Sequence, residues 1–111
     1  METIKLDVKP LSVNEVWKGR RFKTDVYKRY EKTLLTLLPK SLKVAEGRLK
    51  IVYHYWFSNS NSDIDNPCKP ITDILQKKYK FNDRQIYEMH IFKELVKKGE
   101  EYIKIKIECL D

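Results

Sequence analysis

The sequence predicts an α+β domain, a single mixed four-stranded sheet carrying two helices in the order β-α-β-α-β-β. Three observations carry that expectation. Ile103, Ile105 and Ile107 alternate with Lys104, Lys106 and Glu108, the period-two pattern of a strand with one wet face. Tyr27, Tyr30, Leu34 and Leu37 recur at steps of three and four, which is the period of a helix. At 111 residues the chain holds one core and not two, so residues 1–111 are expected to form one domain.

The elements follow in order. Ile4, Leu6 and Val8 alternate with Lys5, Asp7 and Lys9, a strand with one buried face that Pro10 ends. From Ser12 to Lys23 a basic run, Lys18, Arg20, Arg21 and Lys23, surrounds Gly19 and suggests a loop or short ribbon. Thr24 is placed to cap a helix reaching Leu38, and Pro39 stops it. Leu49 to Phe57 reads as a strand that is apolar on both faces, hence an inner strand or one covered by a partner. The polar loop Ser58-Asn59-Ser60-Asn61-Ser62 leads to a second helix with Cys68, Ile71 and Leu75 on one stripe. Gln85 to Phe92 is the third long strand, and Lys98-Gly99-Glu100 turns into the fourth, Tyr102 to Glu108.

Composition narrows the function. The chain has 23 basic and 16 acidic side chains, a formal charge of +7, and a pI near 9.4. That is the electrostatic footprint of a protein that meets polyanions. Basic side chains beside Trp17 can grip phosphates and stack on an unpaired base, or the charges stay solvated while Trp17 and Phe22 pack inward. Cys68 and Cys109 lack any paired spacing, so neither a zinc site nor a disulfide framework is expected. With no apolar leader and no span-length hydrophobic run, a soluble cytoplasmic protein without membrane contact is expected.

The most unusual stretch is Asp63-Ile64-Asp65-Asn66-Pro67-Cys68-Lys69, answered by Asp83-Arg84-Gln85. Crowded carboxylates resist ionisation unless a cation sits among them. A hard divalent ion such as Mg²⁺ or Mn²⁺ suits oxygen ligands and leaves room for phosphate oxygens, and a nearby lysine offsets charge that grows in a phosphoryl-transfer transition state. Asp63, Asp65, Asp83 and Lys69 supply those parts. The simpler reading is that Asp65 or Asn66 caps a helix whose first turn holds Pro67 and Pro70. For a shared site Asp83 must come close to Asp63 and Asp65. The second and third long strands are therefore expected to be neighbours, paired antiparallel.

The pattern Asp63-x-Asp65-Asn66-x-x-Lys69-x-x-x-Asp73, followed by Asn82-Asp83-x-Gln85-Ile86, resembles the RusA family of Holliday junction resolvases. Pro10-Leu11-Ser12-Val13-Asn14 with Trp17, and Gly19-Arg20-Arg21-Phe22, resemble the opening segment of that family. The resemblance implies metal ligation by Asp63, Asp65 and Asp83, a requirement for Lys69 in cleavage, and a branched, four-way DNA substrate. DNA contact is expected through Asn14, Lys18, Arg20, Arg21 and Lys23. It also implies a homodimer, which a thin protein with uncovered sheet surface and a two-fold symmetric junction both favour. One departure stands out: the family commonly has a second aspartate where this chain has Asn82. Two rivals follow, a branched-DNA-binding module that has lost turnover and a protein-partner domain whose basic surface serves solubility. His54 and His90, on different strands, are expected to be packing or surface groups rather than proton shuttles.

Overall fold

The computed structural model describes residues 3–20 and 22–111. Strand β1 (Ile4–Leu6) is followed by a single 3₁₀ turn, Val13–Glu15, and by a small ribbon of β2 (Trp17–Lys18) and β3 (Phe22–Lys23). Then come α1 (Asp25–Leu37), β4 (Leu49–Phe57), α2 (Cys68–Tyr79), a second 3₁₀ turn at Asp83–Gln85, β5 (Ile86–Leu95) and β6 (Tyr102–Cys109). The architecture is the expected α+β one, with the ribbon as an added two-stranded sheet.

Local chemistry explains the boundaries. The Thr24 hydroxyl accepts from the Tyr27 N–H at 3.1 Å, satisfying a donor that the helix leaves free, and the chain turns extended at Leu38 ahead of Pro39. Of the helical stripe, Tyr27, Tyr30 and Leu34 are buried, whereas Leu37 is exposed and Leu38 takes its place in the core. The helix ends one residue before Leu38, so the extended backbone there turns Leu38 inward. Helix α2 closes on Lys80 in the left-handed region at φ 57°.

The sheet order is β1-β6-β4-β5, so β4 is the inner strand its two-sided apolarity implied. Its odd-numbered side chains, Leu49 through Phe57, are buried with Ile103, Ile105 and Ile107 of β6 and with the apolar faces of both helices in one core. Both helices therefore lie on one side of the sheet. The opposite side holds Val52, His54, Trp56, Phe92 and Tyr102, where Trp56 stacks on Tyr102 at 4.1 Å and His54 on Trp56 at 3.8 Å.

The expected strand direction is not the one observed. β4 and β5 are neighbours, but they pair parallel, Leu49 beside Ile86 and Phe57 beside Leu95. The reason is the connection. α2 spans 12 residues, about 18 Å of helix, and carries the chain back along the sheet so that β5 begins where β4 began. The antiparallel neighbour of β4 is β6, which packs Tyr53 against Ile105 in register.

Candidate active site

The acidic loop is built by what holds it. The Asp63 carbonyl accepts from the Asn66 N–H at 3.4 Å, the Asp65 carbonyl from the Cys68 N–H at 3.0 Å, and the Asn66 amide reaches the Asp63 carboxylate at 3.3 Å. Helix α2 starts at Cys68, and its N-cap position, Pro67, carries no side-chain cap. The carboxylate of Asp65 is thus not spent on capping, and the helix-cap explanation of this motif falls. Both aspartates are exposed. The Val13 N–H donates to the Asn66 carbonyl at 2.9 Å, which fastens the segment bearing Asn14 to this loop. Asn14 itself is exposed, and its N–H donates to the Ser12 hydroxyl at 3.1 Å.

The N-terminal turns of α2 present Lys69, whose ammonium donates to Asp73 one turn on at 2.8 Å. That hydrogen bond, with Asp73 and then Asp83 adding their charge, raises the Lys69 pKa above its ordinary 10.5. Lys69 is a permanent cation at neutral pH. Beside it, Cys68 accepts a hydrogen bond from the Tyr55 hydroxyl at 3.1 Å, and burial pushes its thiol pKa upward. A neutral, covered thiol is a packing group, not a nucleophile.

Asp83 reaches this neighbourhood by a route the sequence did not disclose. With β4 and β5 parallel, the foot of β5 lies at the opposite end of β4 from the acidic loop, and α2 spans between them. The Gln76 side chain of α2 accepts from the Asp83 N–H at 2.8 Å. A cleft of about 250 Å³ is lined by Cys68, Lys69, Thr72, Asp83, Ile86 and Met89. The structure therefore brings Asp83 to Lys69. Among the described residues, no group of three or more His, Cys, Asp and Glu side chains is gathered to hold a metal ion. The donor chemistry fits a hard divalent cation, since all three candidates are exposed carboxylates on turns around α2.

Asn82 has a local task. Its side-chain oxygen accepts from the Arg84 N–H at 2.9 Å, while the Gln85 side chain accepts from the Asn82 N–H at 3.0 Å, a reciprocal cap. The Gln85 amide also donates to the carbonyls of Ala45, Glu46 and Gly47 at 2.8 to 3.0 Å. Two positioning residues, Gln76 and Lys93, thus escaped sequence reasoning, and Gln85 was named in the motif without a role. The Lys93 ammonium donates to the Ser60 carbonyl at 3.0 Å and to that of Ser62, pinning the loop that delivers Asp63. A lone lysine at the alternating position shared by Met89, Ile91 and Leu95 was the available clue, and it lay beyond the expected end of that strand.

The basic segment is the β2–β3 ribbon, turned at Gly19 with φ +72°. Trp17 and Phe22 are 49% and 70% exposed, so the alternative that they pack into the core is overturned. Lys18 and Arg20 are exposed, and the Lys23 ammonium sits 4.4 Å from both the Trp17 and Tyr27 ring centroids. Arg21 lies outside the described residues. His54 and His90 sit on the helix-free side of the sheet, each 3.3 Å from a glutamate, Glu94 and Glu88 respectively. That face is the far side from the Lys69–Asp83 cleft.

An α+β domain with exposed carboxylates around a lysine-bearing helix, beside a basic ribbon, has the parts of a phosphodiester-processing protein. The family profile described as endodeoxyribonuclease RusA matches residues 12–108, and the chain belongs to that family. No curated protein matches the chain. Among the described residues, no helix is long and apolar enough to cross a membrane.

Proposed function

We propose that the protein is a divalent-metal-dependent endonuclease that resolves four-way DNA junctions by hydrolysing a phosphodiester in opposed strands. The observation that carries the reading is the cleft shared by Lys69 and Asp83, next to the Asp63–Asp65 loop, in a chain of an endodeoxyribonuclease family. Asp63, Asp65 and Asp83 would hold Mg²⁺ or Mn²⁺, and such an ion, when bound, supplies Lewis acidity and a more acidic water. Lys69, protonated at neutral pH, offers its N–H groups to the phosphate oxygens as negative charge grows there, and Asp73 fixes its position. Lys93, Gln76 and Gln85 hold the acidic turns in place. Asn14, Lys18, Arg20, Arg21 and Lys23 bind the DNA backbone.

A homodimer belongs to the same proposal. β5 is an edge strand of 10 residues that leaves Tyr87, Met89, Phe92 and Leu95 exposed, an uncommon surface for a strand that stays unpaired. Two copies related by a two-fold axis would address two opposed strands of a junction. Action on DNA inside the cell places the protein in the cytoplasm.

A second reading is a branched-DNA-binding module without turnover. Asn82 favours it, because an amide that caps a turn replaces a carboxylate common at this position in the family. Incubating labelled four-way and linear duplexes with wild-type and Asp65→Asn protein, with Mg²⁺ or Mn²⁺, separates the two. The nuclease nicks junctions and loses that activity in the variant while keeping junction affinity. Wild-type protein that binds junctions and never nicks them is the module.

A further inference from the structure

Phe22 stands opposite Lys18 in the ribbon, and Trp17 stands opposite Lys23. Directly opposed residues of a ribbon share a face, so the two pairs point to opposite sides. The Trp17–Lys23 face turns toward α1, where the Lys23 ammonium lies between the Trp17 and Tyr27 rings. The Phe22–Lys18 face turns away from it, and Phe22 is the most exposed large apolar side chain among the described residues.

The ribbon is braced rather than free. At its base the Thr24 N–H donates to the Val16 carbonyl at 2.9 Å and the Thr24 hydroxyl to the Glu15 carbonyl at 2.6 Å. The turn just before it is tied to the acidic loop by the Val13–Asn66 hydrogen bond. Phe22 is therefore an apolar ring on a short ribbon whose base is held, and the turn before that base is hydrogen-bonded to the acidic loop. Its ribbon, Trp17 to Lys23, contains lysines and arginines and no acidic residue.

We propose that this outward face reads the branch point of the DNA: Phe22 stacks on a base left unpaired at the strand crossing, and Lys18 holds the adjoining phosphate. The proposal takes DNA as the partner from the nuclease reading and adds the residue that distinguishes branched from linear substrate. An aromatic ring opposite a lysine, on a ribbon whose sequence holds no acidic residue, matches a nucleotide, which offers a π-face and a negative charge together. In a linear duplex every base is stacked on its neighbours and offers Phe22 no free face.

The test uses four-way junctions and linear duplexes carrying 2-aminopurine at or away from the crossing, with wild-type, Phe22→Ala and Phe22→Trp protein. Wild type and Phe22→Trp are expected to change 2-aminopurine fluorescence only at the crossing. Phe22→Ala is expected to lose that change and roughly ten-fold in junction affinity, with linear-duplex affinity within about two-fold because phosphate contacts dominate it. Equal junction affinity and an unchanged fluorescence response in Phe22→Ala would overturn the inference and leave the nuclease reading intact. Loss of self-association in that variant, with fluorescence unaltered, would assign Phe22 to a contact with a second copy and overturn it as well. A Phe22-dependent signal in a protein that never cleaves would uphold the inference and remove the nuclease. Failure of wild type to bind any of these DNAs would remove both.

Discussion

At the scale of single residues, the sharpest consequence concerns Lys69. Its hydrogen bond to Asp73, reinforced by Asp83, holds its pKa above 10.5, so it acts as a cation and not as a base at neutral pH. Because the shift is upward, the charge is present at all lower pH values and is lost only as pH rises through the elevated value. Cleavage rates measured from pH 7 to 10 should accordingly show no alkaline decline traceable to Lys69. A decline in wild type that Lys69→Arg abolishes would contradict this. Lys69→Ala should lower the cleavage rate by about 10²- to 10³-fold, the usual effect of removing one group that stabilises transition-state charge, with junction affinity little changed. Gel-shift titration beside single-turnover cleavage checks both halves.

At the scale of elements, the parts that place the site are polar braces between segments distant in sequence. Gln85 binds three carbonyls of the 45–47 segment and caps Asn82, so Gln85→Ala should destabilise the fold by about 1 to 3 kcal/mol in denaturant unfolding. Lys93→Met removes the pin on the Ser60 and Ser62 carbonyls, and hydrogen exchange over residues 58–66 should quicken while the core strands stay protected. Such braces explain what could be read in advance. Periodicity located β4, β6 and both helices because their burial is local and repetitive: Ile103, Ile105 and Ile107 face the core, and Thr24 caps α1 where expected. Strand direction was readable from the order of elements, since a helix between two neighbouring strands makes a crossover that pairs them parallel; the antiparallel expectation came from the wish to bring Asp83 to Asp63 and overlooked that connection. The site shows the same division. Residue types nominated Asp63, Asp65, Asp83 and Lys69, while the contacts that position them, from Gln76 and Lys93, join residues with no sequence relation to the motif. Leu37 was misplaced for a simple geometric reason: the helix stops and the next residue turns inward.

At the scale of the whole molecule, charge and edge strand set the behaviour. If Lys18, Arg20, Arg21 and Lys23 each neutralise a phosphate as proposed, the logarithm of DNA affinity should fall with the logarithm of salt at a slope of about −3.6 per protomer. A flat salt response would point instead to a basic surface that serves solubility. If two copies pair along β5 as proposed, Leu95→Asp, at the far end of that strand, should sediment as a monomer where wild type sediments as a dimer, with circular dichroism unchanged because that side chain is exposed within one chain. The most direct measurement is product mapping on a four-way junction labelled on all strands, with and without Mn²⁺. Paired nicks in opposed strands, dependent on the metal and missing from the matching linear duplex, are the expected result. An intact junction after binding in the presence of Mn²⁺, or nicking that ignores metal and branching alike, would contradict the assignment of Asp63, Asp65, Asp83 and Lys69 to a junction-resolving active site.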